Sequence, residues 1–132
     1  MSTYYLIASL PPLSVEQKTP LSVETFLHAC EERLAAHDAT AARALMTQEA
    51  SLHPFVVAWR DKETILRNAV AQQRARERGV ESARWLRATE GCDLMIERQV
   101  EEAFQQIDPL RIERALDAIR WRVAEELAGD RE

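Results

Sequence analysis

Glycine and proline are scarce, with three and five residues in a chain of 132. A β-sandwich or barrel needs turn residues about every 8–12 positions. Gly79, Gly91, Gly129, Pro11, Pro12, Pro20, Pro54 and Pro109 cannot supply them. The same scarcity excludes collagen-like and low-complexity readings. Cysteine is limited to Cys30 and Cys92, which read as buried packing thiols rather than a disulfide. No apolar run approaches the roughly 18 residues of a membrane span, so direct membrane insertion is not expected. A Gly-rich phosphate loop and a GxSxG nucleophile elbow are both missing.

What the chain has instead is Ala, Leu, Glu and Arg, which together make up about half of it. All four are good helix formers, and the length suits one domain. The expectation is an all-α fold: a single helical domain over residues 1–132, a compact bundle of about five or six helices. An irregular or extended N-terminal segment, residues 1–21, packs on it. The formal net charge of −5 argues against general nucleic-acid binding, which rests on neutralising phosphates. The charge is uneven. Residues 1–59 carry three basic and six acidic side chains, residues 60–98 nine and seven, residues 99–132 five and nine. The opening residues lack a basic n-region, which makes the cytoplasm the default location.

Along the chain, residues 3–10 are too short for periodicity to separate strand from helix. Ser22 is a good N-cap, followed by Val23, Phe26, Leu27, Cys30 and Leu34 at helical spacing. This helix is expected to end near His37, with Asp38 capping a second, Ala-rich helix through Leu45 and Met46. Pro54 suits a first helical position and Gly79 a C′ position. Between them lies a long helix, 54–78, with a stripe of Phe55, Trp59, Leu66, Ala69, Val70 and Gln73. Residues 82–88 read as a short helix holding Trp85 and Leu86, interrupted by Gly91. Asp93 caps the next helix, whose stripe is Ile96, Val100, Ala103, Phe104 and Ile107. Asp108-Pro109 restarts the chain as a last helix to Ala128, with Ile112, Leu116, Ile119, Val123 and Leu127 facing inward.

Chemistry-bearing patterns are few. His28 and Cys30 are two apart and point to different sides of a helix, and His37 and His53 fall near predicted helix ends, so no metal set is expected. The paired glutamates 31–32, 101–102 and 125–126 read as solvated faces, and no catalytic or cofactor-binding residue is assigned. Arg74, Arg76 and Arg78 complement the helix dipole, or with Arg84 and Arg87 they meet an acidic partner. Tyr4 and Tyr5 read as a pin for the chain start or as part of a contact surface. Asn68, in mid-helix, reads as a buried amide bonded to backbone near the N-terminal segment. Trp121 falls on the flank of the last helix, between core and solvent.

Four stretches carry a resemblance, in order along most of the chain. They are Tyr4-Tyr5-Leu6-Ile7-Ala8-Ser9-Leu10-Pro11, Pro20-Leu21-Ser22 with Phe26-Leu27, Leu66-Arg67-Asn68-Ala69 with Arg74-Ala75, and Asp108-Pro109-Leu110 with Arg120-Trp121. Together they resemble a bacterial family of unknown function encoded among genes for a V-type ATPase. That family is distantly similar to the helical C/d subunit, which couples the rotor stalk to the membrane ring. The C/d subunit repeats its helical unit, whereas this chain has room for about one. The resemblance implies a non-catalytic accessory protein, assembly factor or small subunit of a V-type ATPase, cytoplasmic or peripheral to the membrane through that complex. Its partners would be ATPase subunits, and Tyr4, Tyr5, Arg67, Asn68, Arg74 and Trp121 its contact candidates. The other reading of the residues is a helical interaction module or regulator unrelated to the ATPase.

Overall fold

The structure is a computed structural model that describes residues 3–81, 86 and 93–129. Among them are six helices and no strand: α1 (Thr3–Ser9), α2 (Val23–Arg33), α3 (Ala36–Thr47), α4 (Pro54–Arg78), α5 (Leu94–Ala103) and α6 (Pro109–Gly129). The all-α fold is as expected. Residues 3–9, left open between strand and helix, are helical. No helix is long and apolar enough to cross a membrane. The chain divides into two compact units, Met1–Val57 and Ala58–Glu132.

In the first unit the Ser22 hydroxyl accepts from Thr25 N–H at 3.1 Å and starts α2, as its cap chemistry predicts. The helix then stops earlier than its periodicity implies. Leu34 takes up extended backbone (φ −97°, ψ 155°), so α2 ends at Arg33 and α3 begins at Ala36. Asp38 is therefore no N-cap. It sits in the first turn of α3, where Ala35 precedes the helix without a side-chain cap bond. A short turn between alanines carries no polar or glycine marker, and tertiary packing of α3 against α2 decides it. An ion pair from Arg43 to Glu31 at 2.8 Å spans the two helices. α1 also packs against α2, and residues 10–22 are irregular around their three prolines. Leu6, Cys30, Ala41, Ala44 and Val56 are buried. Burial, and then the charge of Glu31, pushes the Cys30 thiol upward, which keeps it protonated.

In the second unit three helices each give three residues to one core: Ile65, Leu66 and Ala69 from α4, Ile96, Val100 and Ala103 from α5, Leu116, Ile119 and Val123 from α6. Each set keeps helical spacing, so each helix turns one stripe inward. Trp59, Val70, Phe104, Ile112 and Leu127 pack around them. Of the expected α5 stripe only Ile107 fails, being 90% exposed. α5 ends at Ala103, so the helical period never reaches it. Gln73 is half-buried, whereas Ala75 is buried. The short helix expected over 82–88 and the break at Gly91 lie outside the described residues, apart from Leu86, which is non-helical and half-buried.

The helix ends of this unit follow their signals. Asp108 accepts from Arg111 N–H at 2.9 Å ahead of Pro109. Gly79 adopts φ +68°, and the bonds Val80 N–H to Ala75 C=O and Gly79 N–H to Arg76 C=O close α4 in a Schellman turn. Asp93 Oδ1 accepts from Met95 and Ile96 N–H at 3.0 and 3.1 Å, while its Oδ2 takes the Lys62 ammonium at 2.8 Å. Arg122 donates to Gln99 Oε1 through Nε and Nη2 at 3.1 and 2.7 Å, tying α6 to α5, and pairs with Glu126 as its spacing implies.

Leu116 is 1% exposed at the centre of the core. Leu116→Ala should cost about 2–5 kcal/mol, read from the urea unfolding midpoint. A second outcome concerns Asp93. The Lys62 hydrogen bond, assisted by the two backbone donors and opposed by burial, holds its carboxyl below the ordinary value of 3.8. A folded-state pKa below the unfolded one contributes stability that is complete above the unfolded pKa and is lost as pH falls through the folded value. Asp93→Asn keeps the cap oxygen but removes the charge. It should therefore lower stability at pH 7 and flatten the decline below about pH 4, in unfolding curves taken across that range.

Candidate functional site

Helical spacing places Arg67, Arg74 and Arg78 on one face of α4, and Glu113 and Arg120 on one face of α6. The two faces line a groove of about 490 Å³ within the second unit. Val70, Ala71, Ala75, Val80 and Leu116 give it an apolar lining, and the Schellman turn at Gly79 brings Val80 to one end. Four guanidiniums against one carboxylate make this a cationic site in a chain of net charge −5.

The guanidiniums are only loosely engaged. Arg74 reaches Glu113 at 3.4 Å, both side chains being 54% exposed. Arg67 reaches Glu63 on its own helix at 3.4 Å. Charge-assisted N–H···O⁻ bonds settle near 2.7–2.9 Å, so these contacts leave most of the five N–H donors of each fork open to another acceptor. Arg120 is held tighter, by Asp117 at 2.9 Å. Arg78 makes no ion pair among the described residues. Chemically, the groove can hold carboxylates or phosphates on its rim while burying apolar groups between them. Among the described residues no polar or charged side chain is buried.

The structure thus brings together Arg67 and Arg74 of the expected contact residues and leaves the others apart. Asn68 neighbours Arg67 on α4, and it is half-buried rather than buried. Trp121 is half-buried on α6 beside Arg120, outside the groove lining, and its indole N–H donates to Glu125. Tyr4 and Tyr5 belong to the first unit. They stand 73% and 62% exposed on α1, edge to face with ring centroids 5.8 Å apart, while Leu6 of that helix is buried. Of the arginine cluster read as an acidic-partner contact, Arg74 and Arg78 line the groove, Arg76 does not, and Arg84 and Arg87 lie outside the described residues.

Arg120 and Glu113 are the charged groove residues that sequence reasoning did not name as contact candidates. Their signal was present: they flank the core residue Leu116 at i−3 and i+4, so both edge the buried stripe of α6. Among the described residues, a group able to ligate a metal lies elsewhere, in the first unit, where His37, Asp38 and His53 approach one another.

Comparison of the chain with family models, curated proteins and solved structures finds no match.

Exposed ion pairs such as Arg74–Glu113 contribute about 0–1 kcal/mol. Arg74→Ala should therefore shift the urea unfolding free energy by less than about 1 kcal/mol, which separates a binding residue from a structural one.

Proposed function

We propose that this chain is a non-catalytic docking protein that holds an acidic amphipathic helix of a partner in the α4–α6 groove. The observation that carries the reading is the groove itself: four arginines around an apolar lining, on a protein that is acidic elsewhere. An amphipathic helix with carboxylates flanking one apolar face matches that layout in charge and in its apolar centre. Long-range attraction would speed its capture, and desolvation of the Arg67 and Arg74 forks against carboxylates would set its register.

The partner we name is a subunit of a bacterial V-type ATPase, with this chain acting as accessory, assembly factor or small subunit. That choice rests on the resemblance of four ordered stretches, and four of the residues in them, Arg67, Arg74, Ala75 and Arg120, line the groove. Trp121, half-buried next to Arg120, extends the contact beyond the groove's edge.

The test is capture from gently solubilised native membranes, with bound proteins identified by mass spectrometry. V-type ATPase subunits are expected on the wild-type chain. The Arg67→Glu, Arg74→Glu double variant should lose them at least tenfold while its melting temperature stays close to wild type, and binding should weaken with added salt. Recovery of no ATPase subunit overturns the named partner. Capture that survives both charge reversals overturns the groove.

A further inference from the structure

Fifteen residues lie between His37 and His53, yet their imidazoles stack with centroids 5.1 Å apart and an interplanar angle of 29°. Between them stands the carboxylate of Asp38. Its Oδ1 lies 3.5 Å from His37 Nδ1 and 3.3 Å from His53 Nε2. One ligand atom from each of the three residues falls within 4.8 Å of the others. Ligand atoms about 2.1 Å from a tetrahedral zinc sit about 3.4 Å from one another, so two of the three edges already have coordination length.

The geometry points to a divalent transition-metal site of two imidazoles and one carboxylate, with Zn²⁺ as the ion of reference and water completing the shell. Nitrogen and oxygen donors in this mixture suit a borderline ion rather than Ca²⁺ or Mg²⁺, which prefer all-oxygen shells. The site is open on one side. His37 is 75% exposed, so its ring can swing to shorten the third edge, while His53 is 20% exposed and fixed. Both rings line a hollow of about 670 Å³ in the first unit, which gives an ion and its water a way in.

The fixed ring makes the proposal specific. His53 Nδ1 accepts from Phe55 N–H at 3.2 Å at the start of α4, so in the metal-free chain the ring proton sits on Nε2 and faces Asp38. Coordination through Nε2 moves that proton to Nδ1, and Phe55 N–H gives up this acceptor. Metal binding is thereby coupled to a tautomer exchange at the N-terminus of α4. The α3 and α4 N-termini both disfavour a cation, and the Asp38 carboxylate in the first turn of α3 offsets them.

The experiment is titration of the tag-free chain carrying Cys92→Ser with ZnCl₂, followed by calorimetry. One ion per chain is expected, with affinity reduced at least tenfold by His37→Ala and by Asp38→Asn, and unchanged by His28→Gln, which alters a histidine paired with Glu32 on α2. Long-range ¹H–¹⁵N spectra of the imidazoles should move the His53 proton from Nε2 to Nδ1 on loading. His53→Ala also removes a cap contact of α4, so the exposed His37 is the deciding position. No saturable binding, binding that survives both His37→Ala and Asp38→Asn, or an unchanged His53 tautomer overturns the site.

Discussion

The second unit depends on three stripes meeting: three residues each from α4, α5 and α6, all nearly dry. Helices this rich in Ala, Glu and Arg are only marginally stable alone, so burial of one face does most of the holding. The outward faces are then left to solvent or to a partner. The cationic groove follows from that geometry. Leu116 faces the core, and the positions flanking it on α6 fall at the boundary between core and water, opposite the arginine face of α4.

Much of this was readable from the sequence, and what was readable has a common cause. Ser22, Asp93, Asp108 and Gly79 each mark a helix end through bonds to residues at most five positions away, and Pro54 through its own ring, so local chemistry suffices to place these ends. The α6 stripe is likewise a single helix obeying its own period. Errors arose where one residue's fate was settled by another element. Ile107 continued a pattern past the true end of α5, and Asp38 looked like a cap because the turn at Leu34–Ala35 is drawn by packing of α3 on α2.

The sites were less legible than the helices for the same reason. Arg67 and Arg74 could be singled out, yet their convergence with Arg120 and Glu113 needs α4 and α6 side by side. His37 and His53 each looked like an unremarkable residue near a helix end. Only the return of the chain through residues 48–53 sets their rings in one stack around Asp38. Asn68 illustrates the converse: its unfavourable helical propensity suggests full burial, whereas the side chain is half-buried.

Asp93 spends its two carboxylate oxygens on different tasks, one on the first turn of α5 and the other on Lys62 of α4. The end of the α4–α5 connection is therefore anchored to the helix it left. One side chain thus both starts α5 and holds it to α4, so this end of the helix cannot fray without also letting go of its neighbour.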